Sequence, residues 1–103
     1  TGKETDIAEA RQLIVDLYGC RTSCIDDVDS IKNVIHMVCQ CIGAGIVEEC
    51  YHKFSPMGIS AVAVITTSHI SIHTWPEYGM RQWIYFPARR IYRERYAAFS
   101  QSP

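Results

Sequence analysis

The chain has 103 residues, 48% of them apolar, 20% charged and 11% aromatic, with a formal net charge of −1. That bounds it to one compact domain or half of a symmetric assembly and excludes two ordinary domains. Apolar stretches such as Ile59–Ile65 fall far short of the roughly 20 residues of a membrane-spanning helix, and the N-terminus mixes acids and bases without the apolar core of a secretory signal. The small net charge conceals an asymmetry. Residues 1–79 carry five basic against ten acidic groups, a balance of −5, whereas residues 80–103 carry Arg81, Arg89, Arg90, Arg93 and Arg95 against Glu94 alone, a balance of +4. Six of the eleven aromatics also fall in those last 24 residues, so the segment is compositionally foreign to what precedes it.

Residues 1–10 read as a polar lead-in and residues 11–103 as one domain, with 80–103 as its atypical tail. Gln12–Tyr18 is apolar and β-branched, a strand closed by Gly19. Ser23 to Asp29 clusters helix-start residues, with three acids placed to favour the positive end of a helix. Ile31, Val34, Ile35, Val38, Cys39 and Ile42 then recur at helical spacing, an amphipathic helix ending at Gly43 or Gly45, with His36, Met37 and Gln40 off the stripe. Ile46–Phe54 reads as a strand, Ser55–Gly58 as a turn, and Ser60–Thr67 and Ile70–Trp75 as two further strands. This β-α-β-β-β order implies an α+β two-layer sandwich, an antiparallel sheet with a helix on one face. Such a half-layer leaves the other sheet face uncovered, which implies dimerisation. Cys20, Cys24, Cys39, Cys41 and Cys50 match no zinc or disulfide spacing, so the expectation is a reduced, cytoplasmic protein without a metal site, its cysteines mostly small buried apolar residues.

Chemistry concentrates in Phe54-Ser-Pro-Met-Gly-Ile-Ser60 and Thr67-Ser-His-Ile-Ser-Ile-His-Thr-Trp-Pro-Glu-Tyr-Gly79. These place Ser60, Ser68, His69, Ser71, His73 and Glu77 close together in sequence. Strand alternation puts Ser71 and His73 on one face, with His69 offset at the turn. A hydroxyl with a base and an acid permits nucleophilic chemistry; the same residue types in strands also serve structure.

The order of these residues closely resembles the prokaryotic S-adenosylmethionine decarboxylase proenzyme. The likeness includes His-Lys-Phe-Ser-Pro-x-Gly-Ile-Ser before the second motif and Leu13-Ile-Val-Asp-Leu-Tyr-Gly-Cys20, about two-thirds of the chain. The resemblance implies an enzyme that makes its own prosthetic group. The hydroxyl matching Ser68 attacks the carbonyl of Thr67 in an N→O acyl shift, and β-elimination leaves a β chain (1–67) and an α chain headed by a pyruvoyl group. His73 and Ser60 match residues that assist this processing. The pyruvoyl carbonyl forms a Schiff base with the substrate amine and serves as electron sink for loss of CO2. The product supplies an aminopropyl group for spermidine biosynthesis. Glu77 matches an acid that holds ribose hydroxyls. Phe54 and Trp75 are aromatic contacts to adenine or sulfonium, or else core residues. The implied assembly is a cytoplasmic homodimer of processed chains that takes S-adenosylmethionine and engages neither membrane nor nucleic acid.

Two positions depart from the pattern. Thr67 stands where the family has Glu, which leaves the attacked backbone carbonyl in place. After Gly79 the family continues as Tyr-Ala-Ala-Val-Asp-Val-Phe-Thr-Cys-Gly, whose cysteine protonates the product carbon; here the corresponding position is Ala88, which donates no proton. The codons TAT GCG GCA GTG GAT ATA TTT CCC TGC spell Tyr-Ala-Ala-Val-Asp-Ile-Phe-Pro-Cys. Read one base later they spell Met-Arg-Gln-Trp-Ile-Tyr-Phe-Pro-Ala, which is Met80 to Ala88 of this chain. The expectation is a reading frame that slips just after Gly79, with turnover impaired by loss of the proton donor. Within the same chemistry the alternative is an arginine or ornithine decarboxylase relative; outside it, a non-enzymatic partner subunit, for which Ala88 argues. The Arg- and aromatic-rich tail also admits a nucleic-acid-binding reading, against which the net charge and the frame argument both weigh.

Overall fold

The computed structural model describes residues 12–66 and 68–86. The lead-in, Thr67 and residues 87–103, including Ala88 and four of the five tail arginines, lie outside the described residues. Strand β1 (Leu13–Leu17) is followed by a one-turn helix α1 (Thr22–Ile25) and the main helix α2 (Val28–Cys41). Strands β2 (Ile46–Lys53), β3 (Ile59–Ile65) and β4 (His69–Trp75), a 3-10 turn (Pro76–Tyr78) and β5 (Met80–Phe86) complete it. The five strands form one antiparallel sheet in the order β1-β5-β4-β3-β2.

Helix α2 starts where the acids cluster. The Asp27 carboxylate accepts the Ser30 N–H at 2.9 Å and the Ser30 hydroxyl at 3.0 Å, satisfying an otherwise unpaired donor of the first turn. Its stripe of Ile31, Val34, Ile35, Val38, Cys39 and Ile42 is buried throughout, while His36, Met37 and Gln40 are exposed. The stripe packs on alternate residues of the sheet: Val15, Ile59, Ala61, Ala63, Ile65, Ile70, Ile72, Trp83 and Tyr85. Fully burying each isoleucine of this layer contributes about 1.5–3 kcal/mol against leaving it in water. His36 Nε2 meets Glu49 Oε1 at 2.8 Å, tying the outer flank of α2 to edge strand β2.

The opposite sheet face has no helix over it among the described residues. Ile14, Val62, Val64 and Phe86 stand there 55%, 42%, 44% and 37% exposed, an apolar field of the kind that marks an interaction surface.

The structure bears on three of these expectations. Met80–Phe86, the start of the expected atypical tail, is a full strand lying between β1 and β4, because its alternation sends Arg81, Trp83 and Tyr85 to the helix side and Gln82, Ile84 and Phe86 to the other. Arg81 is 3% exposed and its guanidinium pKa is lowered by burial, so this arginine offers nothing to a nucleic-acid surface. Of the cysteines, only Cys39 is buried; Cys20 and Cys24 are half-buried, and Cys41 and Cys50 are exposed, since both point off the helix stripe and the core face of β2.

Candidate functional site

The β3–β4 hairpin builds the site. Antiparallel register sets Ser60 opposite His73, Val62 opposite Ser71 and Val64 opposite His69. His69 therefore opens β4 on the same face as Ser71 and His73, which corrects the expected offset. On that face the Ser60 hydroxyl and His73 Nδ1 are 2.9 Å apart, so Ser60 fixes the ring, and Nε2 has no protein partner among the described residues. The same register row continues from His52 through Ser60, His73 and Gln82 to Asp16, where the Gln82 side-chain amide donates to Asp16 Oδ1 at 2.9 Å.

Around the Ser60–His73 pair lies a cavity of about 320 Å3 lined by Phe54, Met57, Gly58, Ser60, His73, Thr74, Trp75 and Glu77. Phe54 and Trp75 are 46% and 37% exposed, so neither is a core aromatic; both line the cavity, Phe54 with the His52 ring 4.4 Å away and Trp75 with the His73 ring 6.4 Å away. Glu77 rides the 3-10 turn, whose Pro76 is buried as its foot. Gly79 ends that turn at φ 60° and ψ 35°. An added Cβ there would sit 3.2 Å from the Cys20 carbonyl oxygen, while the Cys20 N–H donates to Gly79 O at 2.9 Å. Glu77 is thus presented on a turn pinned to the end of β1.

Ser68 is elsewhere. It closes the tip of the hairpin, where its carbonyl accepts the Ile65 N–H at 2.9 Å and its own N–H donates to Ile65 O at 3.3 Å. His73 lies five residues further along β4, roughly 16 Å away at about 3.3 Å per residue. One chain therefore unites Ser60, His73, Glu77, Phe54 and Trp75, and holds Ser68 apart from them. Thr67, whose carbonyl the reading also invokes, lies outside the described residues.

Met57 and Thr74 were missed from sequence. Thr74 Oγ1 accepts the Ile59 N–H at 2.9 Å, which locks the start of β3 beside the cavity floor. A threonine at an inward strand position carries no local mark of this role.

The fold and its cavity define a class: a helix-backed antiparallel sheet whose far face carries a histidine–serine pair inside an aromatic-lined, acid-bearing cavity. Comparison with known proteins gives the family. The profile of the S-adenosylmethionine decarboxylase family matches residues 11–83. The proenzyme of that name from Caldanaerobacter subterraneus subsp. tengcongensis is 42% identical over 72 residues, covering 70% of this chain and 58% of that protein. The counterpart from Carboxydothermus hydrogenoformans is 44% identical over 72 residues, 70% and 57% of the two. That from Pseudomonas aeruginosa is 44% identical over 69 residues, 67% and 43%. The crystal structure of the adenosylmethionine decarboxylase from Aquifex aeolicus superposes with a TM-score of 0.75 at 30% identity, covering 85% of this chain and 72% of that one. The chain belongs to the S-adenosylmethionine decarboxylase family. It spans little more than half the length of the first two curated relatives and less of the third.

Proposed function

We propose that this chain is a self-processing proenzyme of a pyruvoyl-dependent S-adenosylmethionine decarboxylase, acting in the cytoplasm to make the aminopropyl donor for spermidine. The observation that carries this reading is the Ser60–His73 pair inside a cavity that also holds the Glu77 carboxylate. In processing, the Ser68 hydroxyl attacks the Thr67 carbonyl carbon and the peptide C–N bond breaks, leaving an ester and a free amine. A base then removes the Ser68 Cα proton as the Thr67 carboxylate departs. Water replaces the resulting enamine nitrogen, releasing ammonia and leaving a pyruvoyl group in place of Ser68.

The tip of the hairpin suits that change. Loss of the Ser68 nitrogen removes only the longer bond to Ile65, at 3.3 Å, while the 2.9 Å bond to the Ser68 carbonyl persists. The pyruvoyl carbonyl supplies an electron sink for loss of CO2. Phe54 and Trp75 flank the adenine and the sulfonium, a cation that aromatic faces attract, and Glu77 accepts from the ribose hydroxyls.

The roughly 16 Å between Ser68 and His73 along β4 calls for a second copy. Two chains stacked by a two-fold through their uncovered sheet faces cover Ile14, Val62, Val64 and Phe86 and bring the hairpin tip of each towards the Ser60–His73 pair of the other. On this reading the processing base for each Ser68 comes from the partner.

Intact-mass spectrometry of the purified chain tests the proposal. Cleavage between Thr67 and residue 68, lost in Ser68→Ala, is the expected result; a chain that stays whole at 11.7 kDa overturns it. A CO2-release assay with S-adenosylmethionine, arginine and ornithine then reads the substrate.

A further inference from the structure

The segment Phe54–Gly58 forms one wall of the cavity, and a single carboxylate outside the cavity holds both its ends. Asp26 lies in the link between α1 and α2. Its neighbour Asp27 caps α2, while Asp26 Oδ1 accepts the Gly58 N–H at 2.8 Å. The Lys53 ammonium lies 3.1 Å from the same oxygen and donates to the Phe54 carbonyl at 3.1 Å. The Phe54 N–H closes the loop on Gly58 O at 2.7 Å. Gly58 has φ +111°, a conformation that side chains rarely adopt, and its ideal Cβ would lie 3.5 Å from Thr74 O. The wall therefore leaves room for no more than a hydrogen on Gly58 without touching β4, and it carries Phe54, which lines the cavity together with Trp75.

We propose that Asp26 is a positioning residue for substrate: through Gly58 and Lys53 it sets the Phe54–Gly58 wall at the separation that admits a flat nucleoside between Phe54 and Trp75. The proposal rests on the reading of this cavity as the S-adenosylmethionine pocket. Asp26 touches no reacting atom, and its effect passes entirely through the backbone of the wall. The Gly58 N–H, followed by Lys53, holds the Asp26 carboxyl below its ordinary range, in keeping with a charged acceptor at this point.

The test uses the full chain and three variants: Asp26→Ala, Asp26→Asn and, as a control that removes the same charge from the exposed first turn of α2, Asp29→Asn. S-adenosylmethionine affinity is measured by calorimetry, amide exchange residue by residue by NMR, and melting temperature by circular dichroism. Asp26→Ala is expected to weaken binding about tenfold and to raise exchange at Gly58 with β3 and β4 unchanged, since it strips a charged acceptor. Asp26→Asn keeps an acceptor for Gly58 and should recover most of the loss, to within about threefold of the unsubstituted chain. Asp29→Asn should bind as the unsubstituted chain does.

Unchanged affinity and unchanged Gly58 exchange in Asp26→Ala overturn the proposal. So does exchange raised uniformly across the sheet with a lowered melting temperature, which marks a merely structural role. If the unsubstituted chain binds no S-adenosylmethionine, the pocket reading falls and the substrate half of this proposal with it. Gly58 exchange then still decides whether Asp26 holds the wall.

Discussion

Mixing two inactive variants tests the shared site directly. Ser68→Ala lacks the attacking hydroxyl and His73→Ala lacks the ring that Ser60 orients at 2.9 Å. Within one chain, roughly 16 Å of strand separates positions 68 and 73, and a histidine must come within about 3 Å, or one water, of the proton it moves. That separation argues against assistance within one chain. Each variant by itself should therefore stay uncleaved or, for His73→Ala, cleave about 10²–10⁴-fold more slowly than the unsubstituted chain. Refolded together in equal amounts, the two pair at random and roughly half of all chains enter mixed dimers. Each mixed dimer holds one complete site, made of Ser68 from the His73→Ala chain and His73 from the Ser68→Ala chain. Roughly half of the His73→Ala chains, and none of the others, should then cleave. Labelling one variant with 15N lets intact-mass spectrometry assign every fragment to its parent. Absence of rescue, with mixed dimers present by native mass spectrometry, refutes the shared site. Cleavage of His73→Ala alone at the unsubstituted rate refutes the role of His73.

Other expectations follow from particular residues. Burial, and then the nearby Glu49, pushes the Cys39 thiol up to about 11, so at pH 8 only about one part in a thousand is thiolate; pulse alkylation should modify exposed Cys41 and Cys50 and spare Cys39, and equal labelling would contradict its burial. Hydrogen bonds from His36 and then Tyr51 hold the Glu49 carboxyl below its ordinary range. A depressed carboxylate stabilises the fold above its unfolded value near 4.5 and loses that contribution as pH falls through the folded value, so Glu49→Gln should flatten the fall in melting temperature below about pH 4.5. A Gly79→Ala variant forces a side chain into φ +60° with a Cβ 3.2 Å from Cys20 O; it should lose about 1–2 kcal/mol in urea denaturation, and an unchanged midpoint would show that the turn relaxes. Sequencing the coding DNA around Gly79 should reveal a cysteine-bearing strand one base out of frame, and its absence from every shifted frame ends the frame-slip reading.

The helix and four strands were legible because each is dictated locally. The α2 stripe at helical spacing went entirely into the core, and the acids before it supplied the cap through Asp27. Strand β5 was obscured by its composition. An arginine and three aromatics in seven residues read as a foreign tail, yet alternation is all that a strand flanked on both edges requires, and pairing with β1 and β4 overrides residue type.

The site was harder to read, because contiguity in sequence is a poor guide to proximity in a hairpin. Ser68 and His73, five residues apart, are spread along one strand, whereas Ser60 and His73, thirteen apart, face each other across two. Asp26 and Gly58 are separated by 32 residues, with no local signal to join them. Register also bears on what this chain does after processing. The Ser60–His73 pair and the cavity belong to the β2–β3 link, β3, β4 and the turn after them, all upstream of Met80, while the proposed proton donor's position falls at Ala88, beyond β5. Processing and turnover therefore depend on different stretches of the chain. A chain altered only beyond Gly79 is expected to cleave itself and bind substrate, and to fail at the last proton transfer.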